Sequence, residues 1–280
     1  MSRPLDAQTI LLTGATDGIG RGTAHALARL GARVLLHGRN AERLAAVRGE
    51  IAAATGSDRL ETYVADFASL ADVHRLVEDV SARHDRLDVL LNNAGIGAGP
   101  RGRQRREISA DGYELRLQVN HLAPLLLAHR LLPLLRTGAP ARIVNVASVG
   151  QAPIDFDDLM LQHSYDGMRA YRQSKLAMIM ASFELAERLD PGEITVNALH
   201  PGTLLDTKMV HEGFGAPLGP VDIGIEAELY LATSSELDGI SGQYFDRTHP
   251  ARANPQAYDP DARRKLWQES LNLTHIEGFA

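Results

Sequence analysis

Between residues 9 and 199 the chain repeats one pattern, a short unbroken apolar run followed by a longer segment with apolar residues every three or four positions. The runs are Thr9–Thr13, Arg33–Leu36, Leu60–Val64, Val89–Leu91, Arg142–Val146 and Thr195–Leu199, and the intervening segments include Ile19–Leu30, Ala41–Ala54 and Leu70–His84. A strand buried on both faces needs a continuous apolar run, and an amphipathic helix needs the longer period. Strands alternating with helices predict a parallel sheet covered on both sides, the doubly wound α/β class. The connections are short and marked by Gly31, Gly56, Gly138 and Pro191-Gly192, so a single domain over 1–280 is expected.

Composition narrows the functions open to such a sheet. At 280 residues and 44% hydrophobic, the chain is long enough to bury a large core. Its 29 basic and 35 acidic residues leave a formal charge of −6, the opposite of the basic footprint that nucleic acid requires. It has no cysteine, which removes disulfides, thiolate nucleophiles and thiolate metal sites together. Eleven histidines show no HExxH or paired ligand spacing, so no metal is expected, and His200 is expected to pack or to bond backbone. Met1 to Gln8 carries Arg3, Pro4 and Asp6 where a leader would be apolar. The richest apolar stretch, Leu122–Leu135, is interrupted by Pro124, His129, Arg130 and Pro133. No membrane partner and a cytoplasmic location are therefore expected.

Chemistry concentrates where the predicted strands end. Gly14, Gly18 and Gly20 lie between the first strand and first helix, within Thr13-Gly-Ala-Thr-Asp-Gly-Ile-Gly20. A glycine-rich turn of this kind lets a phosphate approach backbone N–H groups at the positive end of a helix, although the spacing differs from G-x-G-x-x-G and also suits a plain turn. Gly14, Thr16, Asp17, Gly18, Ile19 and Gly20 are the candidate phosphate loop, with Asp17 expected to point away or cap the helix. The second strand ends in His37-Gly38-Arg39-Asn40, without the carboxylate that would bind a ribose 2′-hydroxyl. A guanidinium suits a 2′-phosphate, so NADP(H) is favoured over NAD(H), with Arg39 and Asn40 as candidates; a solvated surface arginine would read the same way. Tyr171 and Lys175 lie on one helix face, where an ammonium would draw a phenol toward neutrality.

In order along the chain, Thr13 to Gly20, Asn92-Asn-Ala-Gly95, Asn120, Ser148, Tyr171-x-x-x-Lys175 and Pro201-Gly202 together resemble the short-chain dehydrogenase/reductase superfamily, from about Ile10 to Trp267. The 22 residues between Ser148 and Tyr171 include Ile154-Asp-Phe-Asp-Asp-Leu159, which is similar to retinol-dehydrogenase-like and WW-domain-oxidoreductase-like members. Those members share the Gly-Arg ending of the second strand and a strand like Ser241 to Phe245. The resemblance implies a Rossmann fold of about seven strands and a catalytic set of Asn120, Ser148, Tyr171 and Lys175. Tyr171 would act as general acid or base, Lys175 would lower its pKa and hold the ribose, Ser148 would orient the substrate oxygen, and Asn120 would anchor a water. It further implies Asp66 and Phe67 beside adenine, Asn93, Ala94 and Gly95 along the adenosine ribose, and Pro201, Gly202 and Thr203 on the nicotinamide side. Asp66 also reads as a helix cap, Asn92-Asn93 as a turn, and Ser148 as a strand-end hydroxyl bonded to backbone.

The expected activity is hydride transfer between nicotinamide and the carbonyl or alcohol carbon of a small lipophilic ketone, aldehyde or secondary alcohol. A 3-oxoacyl-carrier reductase is an alternative, with the basic run Arg101-Gly-Arg-Gln-Arg-Arg106 as its only candidate docking patch, and a non-catalytic NADPH-binding sensor of the same fold is another. Residues 203–220 mix glycines with Met209, Phe214 and Leu218, which suits a substrate lid or a surface loop, and Thr207 falls one position later than the family spacing, so Thr203 is preferred. Residues 246–280 form a carboxyl-terminal extension in which Asp259-Pro260 opens a final helix. Ala177 and Ala181 admit close helix packing, within the chain or in the homodimers and homotetramers that relatives form. Pro124 brings no N–H to the carbonyl of Asn120, so a water is expected there.

Overall fold

A computed structural model describes residues 3–100 and 105–278. Every strand expected from an apolar run is present. They form one sheet in the order β3-β2-β1-β4-β5-β6-β7-β8, in which β1 is Thr9–Leu12, β2 Arg33–Gly38, β3 Leu60–Val64, β4 Val89–Asn92, β5 Ala141–Val146, β6 Ile194–His200, β7 Tyr244–Asp246 and β8 His249–Ala251. The first seven are mutually parallel. Among the described residues the sheet has eight strands, the expected seven or so being joined by β8, which folds back antiparallel on β7 with Phe245 opposite Pro250. A proline there withholds a ladder donor, which an outermost strand tolerates.

Strand alternation divides the core into two layers. Leu11, Leu35, Leu90, Ile143 and Val196 face one side, packed under α3 (Leu70–Arg83) and α5 (Ala123–Thr137). Ile10, Leu12, Val34, Leu36, Val89, Leu91 and Val144 face the other, under α1 (Gly18–Arg29), α2 (Ala41–Thr55) and α8 (Asp222–Thr233). Truncating one of these buried leucines to alanine costs about 2–5 kcal/mol. Helix starts follow short polar side chains: Asn40 accepts from Arg43 N at 2.8 Å, Ser69 from Asp72 N at 3.2 Å, and Asp166 from Arg169 N at 2.6 Å. Asp259 caps α9 (Pro260–Thr274) as expected, though that helix runs two turns beyond Trp267.

The remaining helices position the site. α4 (Leu115–Leu117) runs into a π turn at Gln118–Leu122 and then α5, and α6 is Gly167–Ala186. Pro124 lacks the N–H that the carbonyls of Val119 and Asn120 would need in a five- or four-residue ladder, and the helix widens there, with Ala123 N donating to Gln118 O. Ala177 is fully buried within the chain, in the core layer that also holds Leu266 of α9. Residues 203–220 are not a plain loop: they contain α7 (Lys208–Gly213) and close on themselves through Asp206 N to Gly219 O at 2.9 Å and Leu218 N to Leu204 O at 2.7 Å. Residues 101–104 of the basic run lie outside the described residues; Arg106 donates from Nε to Met160 O at 3.0 Å.

One buried charge site sits between α1 and α8. Glu228 is fully buried, with Oε2 accepting from Thr23 Oγ1 at 2.7 Å and Oε1 unpartnered, and burial raises its carboxyl to about 8. A carboxyl raised by folding holds its proton more tightly in the native state, so its stabilisation is complete at acid pH and is lost as the pH rises through about 8. Thermal melting of the native chain is expected to fall more steeply between about pH 5 and 8 than that of Glu228→Gln. Parallel melting curves for the two proteins would show that Glu228 does not titrate in this way.

Candidate active site

The sheet order reverses between β1 and β4, which opens a crevice at their carboxyl ends. The β1–α1 turn is packed too tightly there for side chains. Gly14 has φ +71°, and a Cβ on it would lie 2.9 Å from Ala94 Cα. A Cβ on Gly20 would fall 2.3 Å from Asn93 Nδ2 and 2.4 Å from Gly14 O. Asn93 fastens this turn by donating from Nδ2 to Thr13 O at 2.8 Å and Gly14 O at 3.1 Å, and Ala94 N donates to Thr13 Oγ1 at 2.9 Å. Asp17 caps α1 by accepting from Gly18 N at 2.7 Å, as one of its two expected readings holds. The α1 amino terminus, including Ile19, thus faces the crevice with the positive end of its dipole.

The neighbouring strand ends add the next wall. Thr16 reaches over Gly38, where a Cβ would lie 2.7 Å from its methyl. Arg39 is exposed, while the Asn40 side chain is engaged as the α2 cap. His37 was not singled out from sequence, yet it joins three strand ends: Nδ1 accepts from Gly14 N at 3.3 Å, Nε2 donates to Ala65 O at 3.0 Å, and the ring stacks on Phe67 at 4.5 Å. Burial drives its pKa down to about 4, which keeps Nδ1 free to accept. Asp66 accepts from Ala68 N at 3.0 Å, so its Oδ1 organises the turn into α3.

The catalytic candidates meet on the other side of the crevice. Tyr171 and Lys175 share one face of α6, at 9% and 4% exposure, and Lys175 Nζ donates to Val146 O at 2.7 Å. Ser148 follows β5, its Oγ accepts from Gly150 N at 3.0 Å, and it lies close enough to the Tyr171 hydroxyl to oppose the rise of that phenol. Its carbonyl receives Tyr244 OH at 3.0 Å and Gln151 Nε2 at 2.8 Å, two supports the sequence did not signal. Asn120 uses its whole carboxamide within the protein: Oδ1 accepts from Ile96 N at 2.8 Å, and Nδ2 donates to Ile96 O at 3.0 Å and Ser174 Oγ at 2.9 Å. Ser174 Oγ donates in turn to Tyr171 O at 2.7 Å, so one chain of bonds links the loop after β4 to α6. Gly95 lies against this group, where a Cβ would stand 3.1 Å from Asn120 Oδ1 and 3.3 Å from Lys175 Nζ.

Electrostatics differ from the expectation of a tyrosine drawn toward neutrality. Burial is the larger influence and raises the Tyr171 hydroxyl, opposed by the neighbouring Ser148, while burial lowers Lys175 to about 8. On the last wall, Pro201 and Gly202 follow β6. Thr203 pairs with His200 Nε2 at 3.0 Å, so that histidine bonds a side chain rather than backbone. Thr207 approaches the phosphate loop instead: a Cβ on Gly18 would lie 3.1 Å from its methyl. Among the described residues no group of three His, Asp or Glu is placed to hold a metal, and no helix is long and apolar enough to cross a membrane.

The residues fit a nicotinamide dinucleotide, since close packing onto Asn93 and Ala94 keeps Gly14 and Gly20 bare and sets the turn at the positive end of α1, where a pyrophosphate meets backbone. Gly20→Ala is expected to displace Asn93 and weaken coenzyme binding about tenfold or more, read by calorimetry on protein that still melts cooperatively. Unchanged affinity would place the coenzyme elsewhere.

Known proteins share this arrangement. Residues 8–215 match the short chain dehydrogenase family. Human retinol dehydrogenase 13 is 35% identical over 290 residues, covering 98% of this chain and 86% of its own length. A crystal structure of an uncharacterized protein from Mycobacterium paratuberculosis superposes with a TM-score of 0.76 at 29% identity, covering 98% of this chain and 95% of that one. A short chain dehydrogenase from Escherichia coli, solved with NADPH, gives 0.71 at 28% identity over 87% of this chain and 98% of its own. By its family match and its relatives over nearly the whole chain, it belongs to the short chain dehydrogenase family, in the retinol-dehydrogenase-like branch, and is an oxidoreductase acting on alcohols and aldehydes with a nicotinamide coenzyme.

Proposed function

We propose that the chain transfers hydride between NADP(H) and the carbonyl or alcohol carbon of a small lipophilic ketone, aldehyde or secondary alcohol. The observation that carries this reading is the junction of Ser148, Tyr171, Lys175 and Asn120 at the carboxyl edge of the sheet, next to a glycine cradle. The bound coenzyme supplies or accepts the hydride. Everything else falls to the chain's own groups.

In the reductive direction Tyr171 gives its hydroxyl proton to the substrate oxygen. A phenol raised by burial keeps that proton at neutral pH until an acceptor arrives. Ser148 orients the same oxygen and holds the Tyr171 hydroxyl in line. Lys175, lowered to about 8, lies near a pH at which it both carries charge and exchanges a proton, and it would hold the ribose hydroxyls. The Asn120 side chain is fully engaged, so its role toward water falls to its backbone carbonyl, which Pro124 deprives of a helical donor. Asn93, Ala94 and Gly95 would line the adenosine ribose, Phe67 and Asp66 the adenine, and Pro201, Gly202 and Thr203 the nicotinamide. Residues 203–220 would cover the substrate, with Met209 turned inward onto Gly97.

The NADP(H) preference rests on Arg39, an exposed guanidinium at the end of β2 with no carboxylate beside it in His37-Gly38-Arg39-Asn40. Turnover of a panel of lipophilic carbonyls with NADPH and NADH tests the reading. Tyr171→Phe is expected to lower kcat about 10²–10⁴-fold while still binding coenzyme, and the oxidative rate of the native chain is expected to rise with pH because that direction needs the phenolate. Arg39→Ala is expected to weaken NADPH and leave NADH unaffected. Equal loss of both coenzymes would remove Arg39 from phosphate recognition, and full activity in Tyr171→Phe would overturn the mechanism.

A further inference from the structure

A second polar cluster lies outside the catalytic group. Arg116 is only 2% exposed, in the short helix just before the π turn. Its Nε donates to Gly97 O at 3.1 Å, and its Nη2 donates to Ala98 O at 3.3 Å and Glu107 Oε2 at 2.9 Å. Its Nη1 faces Glu114 Oε1 at 3.4 Å, and the guanidinium lies 6.0 Å from the centre of the Tyr165 ring. Tyr165 OH donates to the same Glu114 oxygen at 3.1 Å, while the other accepts from Leu117 N at 2.8 Å. One buried cation therefore fastens the turn after β4, the Glu107 segment, the start of α4, and Tyr165 at the end of the insertion between Ser148 and α6.

Stability alone is a poor account of such a device, because buried ion pairs are often matched by apolar packing of the same volume. What the guanidinium adds is direction: a rigid fork that bonds two successive carbonyls and two carboxylates at once. The turn it holds is shared by both halves of the site. Ile96 is bonded at N and O by Asn120, and the next two carbonyls are bonded by Arg116. The outer side of that turn carries α7, since a Cβ on Gly97 would lie 2.9 Å from Met209 Cγ and one on Gly213 would lie 3.6 Å from Gly99 O.

We infer that Arg116 is a positioning residue for substrate: by fixing the 97–98 turn against Tyr165, it sets where α7 docks relative to the insertion that leads to Tyr171. This rests on the proposed carbonyl–alcohol chemistry. The insertion between Ser148 and Tyr171, given no role by the catalytic group, becomes part of the pocket wall, held by Tyr165 OH on Glu114 and by Arg106 Nε on Met160 O.

The test compares the full chain with Arg116→Met, Arg116→Lys and Tyr165→Phe. Steady-state kinetics use one lipophilic ketone at saturating NADPH, with NADPH affinity by calorimetry and amide hydrogen exchange at 96–99 and 208–213. Arg116→Met is expected to raise KM about tenfold or more and speed exchange in both segments, with NADPH affinity held within about twofold. Arg116→Lys is expected to recover part of the KM, and Tyr165→Phe to show a smaller rise of the same kind. These two milder variants carry the test if Arg116→Met does not fold. Unchanged KM and exchange, or a loss of NADPH affinity in step with KM, would overturn the inference. If the native chain reduces no carbonyl at all, the proposed function fails, and exchange then decides the clamp separately: faster exchange at 208–213 in the variants sustains it, and equal exchange overturns it.

Discussion

The carboxamide of Asn120 is the tie on which the active side of the molecule depends. It closes a two-way bond with Ile96 and reaches Ser174, whose hydroxyl bonds the carbonyl of Tyr171. Three elements distant in sequence, the β4 loop, the π turn and α6, are thereby held in one register. Because the group is buried and all its polar atoms are paired, loosening any one partner would leave a dry donor or acceptor, at a cost of about 1–3 kcal/mol. The Tyr171 end of α6 thus takes its position from a buried amide.

Across the crevice the corresponding work is done by Asn93 and His37. Asn93 binds two successive carbonyls of the phosphate turn, and His37 holds its first amide from below. The β1–α1 side of the crevice is therefore built on neutral hydrogen bonds, and the side toward α7 on a buried charge cluster around Arg116. The two halves meet at the segment from Asn93 to Ala98, where each residue from 93 to 98 either is bonded to another part of the site or leaves space for it.

The sheet was legible from sequence wherever a strand is buried on both faces, since Ile10-Leu-Leu12 or Val34-Leu-Leu36 admits few other readings. β8 was not, because an exposed edge of His249-Pro-Ala251 has no apolar signal. The motif residues gather at the carboxyl edge of the sheet, yet the roles of their neighbours could not be read. Thr203 is paired with His200, a contact across a bend, and Thr207 packs its methyl toward Gly18, neither of which spacing shows. The pKa of Tyr171 could not be read either: spacing reports the adjacent lysine, but burial of both residues outweighs it. Nothing in the sequence singled out Arg116, and only the carbonyls of Gly97 and Ala98, brought in by the fold, show what it binds.

The π turn at Gln118–Leu122 has a consequence for how such a site is altered. A π turn amounts to one residue more than the helix needs, and each residue advances an α-helix by about 100°. Deleting one residue within that turn would return the helix to α pitch, save for the carbonyl opposite Pro124, and swing Asn120 about that angle away from Ile96 and Ser174. The placement of the tie is thus stored in chain length as well as in the missing donor of Pro124.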